Sequence, residues 1–436
     1  MLAALCGAGL LRPAVGRGQG VPLPDSSATP APISADSLRL PPPPPPADTV
    51  VATVVQPDTV PRPPPPTLHD YPYADSLTAA LHRQGRWRAL DSVGRLARAA
   101  QTDYPALRCR LADAALATGR PSAALAHTAC ALRASPLDTG AHYAAALACL
   151  ALGRREAAAW HTRTLPDPTR RLLHLPTHRL LDRLQLELSG QTTTSAFRGE
   201  ASVARVGVGS RLSPAVSLLQ SVARFGQTVR LPELAGRPSF TVRQWEYHGL
   251  LTAQLGARWQ ARGGYSYLGS RFGATRYPGH LAYGALAYQH PTFEAVVGAY
   301  AGRLTDTTRH QTDLRLTAYP LGNLSLYIFG RGSVVQSGGR SYPNAGLGLG
   351  GRLQPTCWLE AFGNAGRVPV LAEADGTAVY NLLDPRLRRG GVGAYLALPH
   401  HLLLRLHYTA ERRRRALHPS ATYSIYALAT ALEWTW

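Results

Sequence analysis

The 436-residue chain contains no lysine, so its 46 basic residues are all arginine, against 26 acidic ones. The formal net charge is +20. A single methionine and abundant alanine and glycine point to a GC-rich genome, so codon bias contributes to that charge. A basic chain can bind nucleic acid or an anionic glycolipid. The motifs of RNA- and DNA-binding modules are missing, which sets nucleic acid aside. No apolar run reaches the ~20 residues that a membrane helix needs. The longest, "YAAALACLAL", falls well short, so no helix of this chain spans a bilayer. The cysteines, Cys6, Cys109, Cys130, Cys149 and Cys357, lack zinc-type pair spacing. The middle three fall in a helical region and read as small buried hydrophobes.

Four segments are present. The start, "MLAALCGAGLL", resembles the apolar core of a signal peptide but lacks a basic n-region and a clean cleavage site. Residues 1–20 are therefore read as a truncated signal peptide. Residues 21–70 are proline-rich, with "RLPPPPPP" and "RPPPPT", and read as a disordered, semi-rigid linker. Residues 71–170 carry a repeat. Gly85, Gly119 and Gly153 are spaced by 34 residues, each followed by arginine, and Ala89, Ala123 and Ala157 recur in phase. Such a period implies stacked helical hairpins with glycine at the turn, each burying one face against its neighbour. It resembles a tetratricopeptide repeat. The array would dock a partner protein or serve as a structural collar.

Residues 171–436 switch to period two. "RLQLELS" alternates Leu184, Leu186 and Leu188 with Arg183, Gln185 and Glu187. "HHLLLRLHY" and the final "YSIYALATALEWTW" do the same. Proline marks short turns at Pro214, Pro291, Pro320, Pro355 and Pro399. Between them lie polar stretches near 226–240, 270–279, 304–311, 334–342, 364–390 and 411–420. Short turns on one side and long loops on the other are the mark of an outer-membrane barrel. Thirteen strands can be counted back to residue 197. An even number is required, and 179–190 supplies the fourteenth, with twelve as the alternative. The expected fold is thus α+β multidomain: a short helical array, then an antiparallel transmembrane β-barrel of about 14 strands. Leu428, Leu432, Trp434 and Trp436 would face lipid, with the indoles at an interface. A terminal aromatic on the last strand resembles the signal read by the barrel-assembly machinery, which makes Trp434 and Trp436 a candidate assembly signal and that machinery an expected partner.

The glycine-spaced repeat, "WEYHGLLTAQLGARW", "YQHPTFEAVVGAY", "AYPLGNLSLYIFGRG" and the terminal "ALEWTW" together resemble Gram-negative outer-membrane proteins with tetratricopeptide repeats before a barrel. These include the YaiO-like proteins of Bacteroidetes and the exopolysaccharide-export porins. The resemblance implies an outer-membrane location with the helical domain in the periplasm. It also implies envelope transport or polysaccharide export, and no catalytic residue.

Inward positions are expected to carry Arg258, Arg315, Arg331, Arg352, Arg405, Asp313, Glu294, Glu360 and Glu433. They form either an anion-selective lumen or a ladder of ion pairs. Inward glycines (Gly284, Gly298, Gly348, Gly350 and Gly393) would leave room or let side chains approach the wall. The runs at 384–391 and 410–418 are expected on outer loops, either against lipid-A phosphates or acidic surface polysaccharide, or simply as solvated basic loops. A catalytic serine needs a base and an orienting group. Ser266, His248 and Asp306 show no spacing that selects them. The expectation is a non-enzymatic barrel without cofactor or metal, whose partners are the lipid bilayer, outer-membrane glycolipid and a periplasmic protein. A plugged scaffold without transport is the alternative, and a barrel enzyme the third reading.

Overall fold

The computed structural model describes residues 67–175, 177–230, 239–273, 275–304, 307–369, 371–380, 384–416 and 420–436. The leader and nearly all of the proline-rich linker read from the sequence lie outside them. Seven helices come first: α1 (Tyr71–Arg83), α2 (Trp87–Ala99), α3 (Pro105–Ala117), α4 (Pro121–Ala134), α5 (Thr139–Ala151), α6 (Arg155–His161) and α7 (Asp167–Leu172). Proline opens α3 and α4, where its missing N–H costs nothing. The Asp138 side chain caps α5 by accepting from the Ala141 N–H at 2.8 Å. Gly85, Gly119 and Gly153 take φ of +64°, +71° and +70° and end α1, α3 and α5. The first six helices are thus three hairpins turning on the repeated glycines. Buried alanines (Ala112, Ala144, Ala146 and Ala148) let the helices approach closely, which replaces large aromatic knobs.

The strands are β1 (Arg179–Thr193), β2 (Arg198–Ser213), β3 (Val216–Arg230), β4 (Ser239–Gln254), β5 (Trp259–Phe272), β6 (Thr275–Gln289), β7 (Phe293–Leu304), β8 (Thr307–Ala318), β9 (Leu326–Ser337), β10 (Arg340–Gln354), β11 (Cys357–Val368), β12 (Leu371–Glu373), β13 (Ala378–Tyr380), β14 (Arg386–Leu398), β15 (Leu402–Arg414) and β16 (Thr422–Thr435). Fourteen of them close an antiparallel barrel, and β12 and β13 pair separately. Closure runs from Arg183↔Thr435 to Thr193↔Ile425 between β1 and β16. Every barrel strand therefore has two neighbours, the condition for crossing hydrocarbon.

The outer wall is apolar in its middle, with Leu184, Leu186, Leu188, Leu314, Leu316, Leu347, Leu349 and Leu428 all exposed. Aromatic rings bound it. Near the helical end, Trp259 packs on Tyr288 with ring centroids 4.8 Å apart, and Trp434 stacks on Trp436 at 4.5 Å. Toward the far end stand Trp245, Tyr247, Tyr265 and Tyr267. Trp245 is level with Gly269, ten residues along β5 from Trp259. At ~3.3 Å per residue and a tilt of about 40°, the two girdles lie ~25 Å apart, the height of a membrane-spanning band.

Two expectations are corrected here. Among the described residues, paired strand extends into the polar stretches at 226–240, 270–279, 304–311 and 334–342, since β3 reaches Arg230, β6 starts at Thr275, β8 starts at Thr307 and β9 reaches Ser337. Above the band both faces can be polar, so the two-residue pattern fades while the pairing continues. Gly284 faces outward, with open space beyond it. The helical array is seated on the barrel's mouth. Ser122 Oγ donates to the Pro291 carbonyl at 2.6 Å, and Asn323 Nδ2 to the Gly119 carbonyl at 2.9 Å. Arg154 Nη2 donates to the His290 carbonyl at 2.7 Å, and Arg155 Nη2 to Asp182 Oδ1 at 3.0 Å. The glycine turns of the second and third hairpins are the contact surface.

Candidate functional site: an obstructed polar lumen

Period-two strands that send leucine to lipid send their other residues inward, and here those are charged. Glu433 lies between Arg183 (3.5 Å) and Arg405 (3.4 Å). Arg331 binds Asp313. Glu294 meets Arg262 at 3.5 Å. Glu360 accepts from the Tyr327 hydroxyl at 3.0 Å. Gly348 and Gly350 make way for the rings of Phe329 and Tyr327, whose atoms would lie 2.2 Å from an added Cβ.

Of the nine charges expected in the lumen, Arg315, Arg331, Arg405, Asp313, Glu294, Glu360 and Glu433 stand there. Arg258 does not. It sits in the turn between β4 and β5, where its Nη1 donates to the Tyr288 hydroxyl at 3.3 Å. Arg352 holds inward register but is exposed at the end of β10, and its Nη2 donates to Ser325 Oγ at 3.2 Å. Both are too near a strand end for parity to place them inside.

The largest departure is the stretch 364–390, expected as an outer loop. Its middle, β12, the bend at Asp375 and β13, folds into the lumen. Asp375 takes φ 55° and ψ 30°, a left-handed bend that aims its carboxylate at the wall. It accepts from Arg262 Nη1 at 2.9 Å, from the Tyr283 hydroxyl at 2.7 Å, and from Arg315. Glu373 lies among Arg331 (3.2 Å), Arg386 (3.3 Å) and Arg389 (2.9 Å). Burial alone would raise both carboxyls, but the guanidiniums outweigh it and hold them well below the usual carboxylate range, Glu373 at about 2. The insert's backbone is tied as well. Gln311 bonds both the N–H and the carbonyl of Ala372, and Arg205 Nη1 donates to the Thr377 carbonyl at 2.6 Å. Ala372 and Val379 pack against Leu268, Leu281 and Leu304.

The arginine runs at 384–391 and 410–418 are likewise strand rather than loop over 386–391 and 410–414. Arg386, Arg389 and Arg413 turn inward and are buried, while Arg388 and Arg412 turn outward. Sequence reading missed the insert because a loop's destination is not encoded in its own pattern. One signal was present: Glu373, Asp375 and Asp384 lie in a stretch facing an arginine-rich wall.

Strand register brings Ser266 and His248 opposite each other, with Oγ 2.9 Å from Nδ1. The serine hydroxyl donates to the Gly376 carbonyl at 2.9 Å, so its proton is engaged by the insert rather than offered to the imidazole. The surrounding space is about 10 Å³, and the pair anchors the insert. Asp306 lies outside the described residues.

Between insert and array remains a polar cavity of about 210 Å³. Gly153, Arg154 and Glu156 of the array border it, with Gln260, Gln289 and Thr317 of the wall and Asp375 of the insert. Burial would raise the Glu156 carboxyl, but Arg183 and Arg211 hold it low.

A closed antiparallel barrel with two aromatic girdles is an outer-membrane architecture. No known family matches the sequence, and no curated protein matches it either. Solved structures resemble it in fold. The TodX deltaS2S3 mutant monoaromatic hydrocarbon channel aligns with a TM-score of 0.41 and 9% identity, over 60% of this chain and 91% of that one. A Pseudomonas aeruginosa FadL homologue aligns at 0.38 and 8%, over 62% and 94%. A bacterial polysaccharide outer membrane secretin aligns at 0.37 and 10%, over 59% and 99%. Each likeness is one of fold alone.

Proposed function

We propose that the chain is a non-enzymatic outer-membrane transport barrel, closed at rest by its own insert and by a periplasmic helical array that docks a partner. The observation that carries this reading is the polar cavity left between two closures built from the chain itself. A scaffold has no need of a charge-lined interior cavity, and a simple pore has no need of two stoppers. The cargo is a polar solute, with exported polysaccharide as the leading class. Most of the lumen's arginines among the described residues already meet a carboxylate of the wall or of the insert, which favours a neutral polyhydroxylated chain over an anion. The array's repeats act as tetratricopeptide-like units. Leu96 and Leu137, 60% and 78% exposed on it, mark the docking face.

A photo-reactive residue replacing Leu96 or Leu137, irradiated in intact cells, should capture one recurrent envelope transport protein. Capture of no protein at either position would reduce the array to a collar. Orientation is tested separately. A cysteine at Gly338, in the turn between β9 and β10, should react with an impermeant maleimide on intact cells, and one at Pro355 only after lysis. The reverse pattern would invert the barrel.

A further inference from the structure

We infer that the outer wall of β4–β6 holds a binding site for a lipid headgroup carrying two or more phosphates. Arg243, Arg271 and Arg276 face outward and are direct cross-strand neighbours, Arg243↔Arg271 and Arg271↔Arg276. Adjacent strands lie ~4.8 Å apart, so the three guanidiniums form a row spanning about 10 Å. Like charges opposite one another destabilise a sheet unless an anion lies between them. Among the described residues the outward-facing strand carboxylate nearest this row is Glu200, two strands away on β2. Among the described residues no carboxylate there answers the row, and its position says what does.

The arginines stand immediately beyond the girdle of Trp245, Tyr247 and Tyr267. Trp245 pairs with Gly269, and Tyr247 with Tyr267. From Trp245 to Arg243 is two residues, about 5 Å along the barrel axis at the same tilt. That is the depth of headgroup phosphates just outside the hydrocarbon. Between the arginine row and the tyrosine row, Gly269 and Pro278 are paired and form a low floor. The helical end of the wall, at Trp259, Tyr288 and Phe293, has no such row. A headgroup with one phosphate answers one guanidinium. Two phosphates on one headgroup answer the row together, and arginine's planar fork suits them.

The site rests on the orientation proposed above, which puts this end in the outer leaflet. The full-length protein in detergent is titrated with diphosphoryl lipid A, with monophosphoryl lipid A and with inorganic phosphate, and bound lipid is counted by native mass spectrometry. The wild type should hold one diphosphoryl lipid, bind the monophosphoryl form at least about tenfold more weakly, and keep its lipid against inorganic phosphate. The Arg243→Gln/Arg271→Gln/Arg276→Gln variant should bind on the order of 100-fold more weakly while still migrating as a folded barrel in unboiled gels. An Arg86→Gln/Arg88→Gln variant on the helical array loses charge without changing affinity. Equal binding of both lipids, displacement by phosphate, or an unaffected triple variant would each overturn the proposal. The Gly338 labelling decides orientation independently of any lipid, so failure of one reading is not failure of the other.

Discussion

Replacing Glu373 and Asp375 together by their amides should release the insert from the lumen. Removing one partner of a buried ion pair costs about 3–5 kcal/mol, because the remaining charge stays buried and uncompensated. Here one side holds Arg262 and Arg315, and the other Arg331, Arg386 and Arg389. A loss above ~5.5 kcal/mol carries a two-state equilibrium from 1:99 to 99:1. The readout is a cysteine at Ala378, which is 3% exposed in β13. It should resist an impermeant maleimide in the otherwise native chain and react readily in the Glu373→Gln/Asp375→Asn background. The barrel itself should remain heat-modifiable on gels, since its backbone pairing is untouched. A cysteine that stays protected in a folded double variant would mean that the apolar contacts of Ala372 and Val379 hold the insert, and that its carboxylates are not the latch.

Deleting residues 72–168 should remove the second closure. The barrel still satisfies its own backbone and should insert. It loses the Arg155 contact to Asp182 and the Glu156 carboxylate beside Arg183 and Arg211. Asp182 and Arg211, 3.7 Å apart, keep each other as partners, so the barrel should fold with a lowered unfolding temperature. In planar bilayers each closure alone should keep conductance low. The deletion combined with Glu373→Gln/Asp375→Asn should conduct steadily, well above the sum of the two separate variants. That excess is the signature of two obstructions in series. A silent combined variant would defeat the transport reading and leave a plugged scaffold. Failure of the deletion to insert would make the helices part of the barrel's fold, and partner docking would lose its support.

How much of this was legible beforehand differs by element. The strand count and the lipid-facing leucines follow from period two, because a strand facing lipid must alternate. The glycine turns follow from a 34-residue spacing that needs a left-handed residue at each turn. Arg258 and Arg352 were misplaced because parity loses its meaning at strand ends. The insert was missed because nothing local distinguishes a loop that projects outward from one that folds back.

The sequence by itself therefore determined the architecture: helical hairpins, then a barrel with an apolar belt and a charged interior. These depend on local periodicity, which a strand or helix imposes on its own residues. Only the tertiary structure decided what fills that interior. Glu373 and Asp375 meet five arginines drawn from β5, β8, β9 and β14, and Arg154 and Glu156 of the array reach the same cavity. Those meetings depend on barrel closure, which brings together residues far apart in the chain, and no short-range pattern records them.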